Sequence, residues 1–392
     1  MYRYLAVAAL ACGWLRAETV LVLPFFNHTQ SSNLDWIGES ISESVNDSLA
    51  SAGLLVLDRD DRLEAYRRLS LRPGAELTHA SIIKIAQSLD AASVIYGSYD
   101  LISSRDSQPS SGSLRVNARI LDLKRLHQTP EFSETGALAD LAALEARLGW
   151  RALQLLNPRA APTEEAFMQA RPPVRLDAVE SYVRGLLAPT PAQRLRFFAQ
   201  AARLDGHYSP PCFQLGMTYW AGKDYPNAAM WLVRVDQSNP HHLEAQFFLG
   251  LCRYYTGDFD GAERAFLTVA AAVPLNEVYN DLAAAQTRLN DVAGALANFQ
   301  KAVEGDSSDP DYHFNLGYLY WKSGRYDEAV TSLRAAVERN SADREAAALL
   351  GRALRREGPR PGEPSAELRE RVKTNYEEAA YRQLEAVLEN NK

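Results

Sequence analysis

Cysteine is scarce in this chain, with three in 392 residues (Cys12, Cys212 and Cys252), and no two form a Cys-x-x-Cys pair. Positive charge is also short. Lys and Arg number 42 against 49 Asp and Glu, a formal net charge of −7, which argues against nucleic acid, a ligand that selects a basic face. The seven histidines are scattered, and there is no His-Glu-x-x-His helix, no Gly-x-Ser-x-Gly elbow and no phosphate loop ending in Gly-Lys-Ser or Gly-Lys-Thr. These absences remove the common signatures of metal, nucleophilic and nucleotide chemistry. No catalytic residue, cofactor or metal is implied, and the chain is expected not to be an enzyme. Beyond the first residues no stretch approaches the roughly 20 apolar residues of a membrane span. With 46% hydrophobic residues, an ordered core in two or three domains is expected.

The opening "MYRYLAVAALACGWLRAETVLVLPF" places Arg3 before an apolar run from Tyr4 to Leu15, with Ala17 at a cleavage position. That is the plan of a secretory signal peptide over residues 1–17. Ala9 stands where a lipoprotein signal wants Leu ahead of Cys12, so lipid attachment is not expected. The mature chain is expected to be exported, periplasmic and soluble, with association to an outer membrane left open. Cys212 and Cys252 would remain, and their repeat phase favours free buried thiols over a disulfide.

Residues 18–158 change character along their length. "TVLVLPF" reads as a buried strand and "LDWIGESISESVNDSLASAG" as an amphipathic helix ending at Gly53. "LLVLDRD" reads as a second strand, followed by helical "DDRLEAYRRLSL" and "THASIIKIAQSLDA". Alternating "ASVIYGSYDLIS" and "SLRVNARILDL", a third strand "PEFSETGA" and the helix "LADLAALEARLGWRALQLL" complete the pattern. The order βαβααβββα predicts a small α/β domain. Pro-containing residues 159–176 read as a linker.

From 177 to 392 one word recurs. "FQLGMTYWAGKDYPNAAMWL", "FFLGLCRYYTGDFDGAERAF", "YNDLAAAQTRLNDVAGALANF", "FNLGYLYWKSGRYDEAVTSL" and "AALLGRALRREG" align on Gly216, Gly250, Ala283, Gly317 and Gly351, spaced 34, 33, 34 and 34 residues apart. Ala228, Ala262, Ala295 and Ala329 follow, each with a large apolar residue four later: Leu232, Phe266, Phe299 and Leu333. A Gly inside a helix costs about 1 kcal/mol against Ala, so close packing of paired helices is the expected reason for keeping it. A degraded unit around Gly185 reads as an N-terminal cap. The polar "RERVKTNYEEAAYRQLEAVLENN" reads as a solubilising C-terminal cap helix.

The period and its residues resemble the tetratricopeptide repeat (TPR), implying about five repeats plus degenerate caps wound into an all-α superhelix. "LVLPFFN", "LDWIGESISESV" and "ASVIYGSYD" make residues 19–136 resemble the N-terminal domain of exported TolB/CsgG-like (FlgO-like) proteins. That resemblance implies a bacterial envelope protein engaged in assembly or interaction. The TPR resemblance implies a concave face built from positions two, five, nine, twelve and thirteen of each first helix. In this chain those give Phe213, Met217 and Trp220; Phe247, Leu251, Tyr254 and Tyr255; Phe314, Tyr318, Trp321 and Lys322; and Arg352 and Arg355, with Tyr182 from the cap. The middle repeat supplies Asn280, Ala284, Thr287 and Arg288. A peptide groove, aromatic at its middle and basic toward its C-terminal end, is therefore expected.

Acids at position two (Glu244, Glu277, Asp311, Glu345) are explained by the helix macrodipole without invoking a basic ligand. Asn315 alone matches the pattern of residues that clamp a peptide's terminal carboxylate. The expected function is a non-enzymatic, exported scaffold holding a protein or peptide in the groove, with a second envelope protein at the N-terminal domain. Two alternatives stay open. One is a ligand-binding or catalytic N-terminal domain, resting on His28, Asp35 and Glu39; the other is a structural subunit of an outer-membrane assembly.

Overall fold

The computed structural model describes residues 19–29, 31–102, 112–159, 161–171, 173–359 and 370–389. The proposed leader lies outside them. A mixed sheet at the N-terminus leads into a helical, TPR-like superhelix.

Strands β1 (Val20–Val22) and β2 (Phe26–Asn27) pair in parallel with β3 (Ser93–Ile102) along one edge. On the other side β3 pairs antiparallel with β4 (Ser113–Asp122), which carries β5 (His127–Gln128) and β6 (Phe132–Ala137). Helices cover both faces, which is why "VLVL" is an unbroken apolar run. Val20 and Val22 face α1 (Trp36–Ala50) and α4 (Leu141–Leu156), whereas Leu21 and Leu23 face α2 (Arg59–Arg68) and α3 (His79–Ser88). Gly97 is required where β3 passes beneath Phe25, since a Cβ there would meet the Asn117 carbonyl at 2.0 Å and the Phe25 ring at 2.5 Å.

The expected strand at 54–60 shrinks to a single bridge between Val56 and Val20. Gly53 turns the chain at positive φ and Asp58 already caps α2 by accepting from the Asp61 amide, so only a short span remains to pair. Between the sheet and the array lies α5 (Glu164–Gln169), whose Phe167 is buried under the Arg171 guanidinium, 3.6 Å from the ring centroid.

The array proper comprises α6 (Leu176–Leu187), α7 (Pro191–Leu204), α8 (Pro210–Ala221), α9 (Tyr225–Leu232), α10 (His242–Thr256), α11 (Phe259–Ala272), α12 (Asn276–Arg288), α13 (Val292–Gly305), α14 (Pro310–Lys322), α15 (Tyr326–Arg339) and α16 (Arg344–Leu354). The recurrent glycine acts within each repeat. A Cβ on Gly250 would lie 2.6 Å from Phe266, and one on Gly317 would lie 2.7 Å from Leu333. Both are the large apolar residue of the paired second helix, so packing overrides helix propensity there. Gly351 has no such partner, its nearest neighbour being the Arg355 side chain at 3.5 Å.

The two parts share one continuous apolar core, in which α1 and α4 pack against α6. Burial in this junction leaves three carboxyls well above their ordinary range: Glu43 at about 7, Asp47 at about 6 and Glu145 at about 8. Cys212 and Cys252 are free and buried.

The expected cap helix at the C-terminus is corrected. Only α17 (Glu378–Glu389) is helical; residues 370–377 are extended and lie along the first helices of the repeats.

Candidate peptide groove

The interior positions of alternate helices converge on one strip of chain. There α10, α12, α14 and α16 together hold the segment Glu370-Arg371-Val372-Lys373-Thr374-Asn375-Tyr376-Glu377. Its main chain is read by side chains. Asn315, fully buried on α14, accepts from the Arg371 amide and donates to the Arg371 carbonyl, both at 2.8 Å. Asn280 on α12 donates to the same carbonyl at 2.8 Å. Asp281 accepts from the Lys373 amide and Glu277 from the Glu377 amide, again at 2.8 Å. These contacts satisfy backbone groups that an extended chain cannot satisfy by itself.

Side chains i and i+2 of an extended segment share a face, and here Arg371 and Lys373 both enter an acidic lattice. The Arg371 guanidinium donates to Asp343 at 2.5 and 3.1 Å, to Asp311 at 3.0 Å and to Glu345 at 3.0 Å, and lies 3.6 Å over the Phe314 ring. Lys373 Nζ reaches Asp309 at 2.7 Å and Asp311 at 2.8 Å. Burial opposes the charge of Arg371, but the bonds to Asp343 and Glu345 outweigh it and its pKa is raised. Asp343 is held below its usual range by the same guanidinium. Glu370 is buried, its Oε2 accepting from Tyr254 at 2.8 Å and from Arg288 at 2.6 and 2.7 Å. The Tyr376 ring stacks on Phe247, centroids 5.1 Å apart.

Two sequence readings change accordingly. Of the position-two acids, Asp311 and Glu345 bind basic side chains and Glu277 binds a main-chain amide, so a dipole role alone is insufficient. Asn315 clamps the backbone of an internal residue, with no terminal carboxylate involved.

Of the residues expected on the groove, Phe247, Tyr254, Asn280, Arg288 and Phe314 touch the segment directly. Tyr318 stacks between Phe314 and Trp321, and buried Trp321 donates its indole N–H to the Glu357 carbonyl beneath the Arg352 guanidinium. Arg352 also donates to the Gly358 carbonyl and Arg355 to Glu357. The expected basic end is therefore engaged by the chain's own 357–358 turn, while Lys322 is exposed. The groove is acidic and amide-rich at its middle. Leu251 is fully buried in the core. Phe213 stacks on His241, and Met217 is half-buried. Trp220 and the more exposed Tyr255 pack with Tyr225, and Trp220 also meets Phe248. Tyr182 is buried between Phe198 and Tyr208, away from the groove.

The His28, Asp35 and Glu39 set is not brought together. Asp35 accepts from Asn27 at 2.7 Å and makes no helix-cap bond, and Glu39 is buried against Arg59 and Arg62. His28 instead lines a cleft of about 250 Å³ that includes His79, Tyr96, Arg119 and Glu131.

Residues 213–277 and 253–311 match one tetratricopeptide-repeat family model and residues 287–353 another. This chain therefore carries tetratricopeptide repeats across 213–353. It is similar to the BBSome complex member BBS4 of Xenopus tropicalis, 28% identical over 141 residues, or 35% of this chain and 27% of that protein. It thus spans about a quarter of that relative's length. Among solved structures it is similar to MamA (residue 41 to the end) from Desulfovibrio magneticus RS-1, at 23% identity and TM-score 0.37 over 41% of this chain and 92% of that one. YrrB, described as a TPR protein with an unusual peptide-binding site, is similar at 16% identity and TM-score 0.36, over 49% and 91% of the two chains. Repeats of this class serve as protein-interaction scaffolds. Among the described residues no helix is long and apolar enough to cross a membrane.

Proposed function

We propose that this chain is a non-enzymatic, exported scaffold of a bacterial cell envelope. Its groove takes an extended peptide from a partner, and its TolB/CsgG-like α/β domain docks a second envelope protein. The observation that supports the groove most is the seating of residues 370–377, whose main chain meets Asn280, Asp281, Asn315 and Glu277. A surface that binds peptide amides through fixed side chains needs no reaction chemistry.

Export is tested by fractionation and N-terminal sequencing of the mature chain, which should begin at Glu18; a retained Met1 would contradict it. The groove is tested by photo-crosslinking in the native envelope. In a chain whose tail is released by Arg371→Ala/Lys373→Ala, a crosslinker at Phe247 should capture a discrete partner that one at exposed Leu267 on α11 does not. Equal capture at both positions would defeat the groove reading. The cleft around His28 and Arg119 supports a second reading, a small polar ligand on the α/β domain. A thermal-shift screen of the full chain tests it, with Arg119→Ala expected to abolish any metabolite-dependent shift.

A further inference from the structure

We infer that residues 370–377 are a built-in stand-in for the true ligand, and that the groove recognises, in a partner, an extended segment of the form Glu-Arg-x-Lys followed by an aromatic three residues on. This inference rests on the groove reading above and gives the partner its chemistry.

The argument begins with which tail residues the groove reads. Thr374 and Asn375 are exposed, so those positions are free to vary. Arg371 and Lys373 bring two positive charges to four carboxylates, Asp309, Asp311, Asp343 and Glu345. Without such a ligand these acids would face one another, a repulsion that selects for a basic segment and against an acidic one. Lys cannot replace Arg at the first basic position without loss, because the bidentate Asp343 contact and the further bonds to Asp311 and Glu345 need the forked donors of a guanidinium. The half-buried Arg288 and the buried Tyr254 then require an acceptor one residue earlier, which Glu370 provides.

The tail's advantage over a free peptide is covalent attachment. Ten residues separate it from the described end of the array, and a connection of that length holds a ligand at an effective concentration on the order of 1 mM. A free peptide of micromolar affinity would then bind the intact chain about a thousandfold more weakly than a chain with its tail released.

The test uses the full chain, as wild type and as Arg371→Ala/Lys373→Ala, which alters only the tail and leaves the groove intact. The probe is a fluorescein-labelled peptide copying residues 370–377, followed by anisotropy. The double variant should bind one peptide about 100- to 1000-fold more tightly than wild type. Ala in place of the Arg or the Lys of the peptide should weaken binding at least about tenfold, whereas Ala at its Thr or Asn should not. Asn315→Ala in the double variant should abolish it, and circular dichroism confirms that each protein remains helical.

Equal affinity of wild type and double variant would overturn the stand-in role. Indifference to the peptide's Arg and Lys would overturn the recognition rule. Concentration-dependent dimers of wild type that vanish in the double variant would make a second copy the occupant and overturn the partner assignment. Should the peptide fail while the Phe247 crosslinker still captures a partner, this inference falls and the groove reading stands. Should capture at Phe247 match that at Leu267, the groove reading falls with it.

Discussion

Replacing Asn315 with Ala isolates the main-chain clamp. The side chain makes both hydrogen bonds to Arg371 and donates a third, at 2.8 Å, to Asn280. Its loss leaves the Arg371 N–H without that partner and the carbonyl with Asn280 alone. Two net hydrogen bonds at about 1 kcal/mol each, plus about 1–2 kcal/mol for a stranded buried donor, give roughly 3–4 kcal/mol against the docked tail. The corresponding rise in the open fraction is about 100- to 1000-fold. The helix itself should survive, because α14 packs on its neighbours through Leu316, Leu319 and Gly317. The assay is amide hydrogen exchange resolved at Lys373 and Glu377, whose N–H groups bond to Asp281 and Glu277. Both amides should exchange faster by about the same factor as tail opening, with α10–α13 unchanged. Unchanged rates at the two amides would refute the clamp. Faster exchange throughout the array would refute the claim that Asn315 acts chiefly on the tail.

Four further outcomes follow from the structure. Tyr254→Phe removes the hydroxyl donor to Glu370 while leaving Arg288 in place, and should speed exchange of the 370–377 amides by about fivefold, near 1 kcal/mol. Gly250→Val forces a side chain into Phe266 and should lower stability by about 1–3 kcal/mol in thermal melts. Gly351→Ala, with open space around it, should be neutral or stabilising by up to about 1 kcal/mol. Glu145 is buried and its pKa is pushed up to about 8. The folded chain therefore retains a proton that the unfolded chain releases above its ordinary carboxyl pKa of 4.5. Stability should fall as pH rises between about 4.5 and 8, by up to about 1.4 kcal/mol per pH unit from this group. Denaturant titrations should show a shallower slope in Glu145→Gln; an identical slope would remove Glu145 from the effect.

The repeats were legible because one constraint recurs every 33 or 34 residues, where a small residue on the first helix meets a large one on the second. Gly250 with Phe266 and Gly317 with Leu333 write that contact into the sequence. The tail was not legible. "RERVKTNYEEAAYRQLEAVLENN" carries helix-forming residues throughout, and local propensity favours a helix at its start. Contacts 26 to 116 residues away, from Asp343, Glu345, Asn280 and Tyr254, override that preference. The position-two acids misled for a related reason. Glu277, Asp311 and Glu345 suit the first turn of any helix, so their placement alone carries no trace of a ligand. The strand at 54–60 failed on length, squeezed between the Gly53 turn and the Asp58 cap.

The account depends on residues 370–377 being seated in the groove of their own chain. A photo-crosslinker placed at Tyr376 in the intact protein, with products mapped by mass spectrometry, addresses this directly. Links should concentrate on α10 around Phe247, whose ring lies against Tyr376, and should run within one chain at every protein concentration. Links scattered over the outer helices, or found only between two chains, would contradict it.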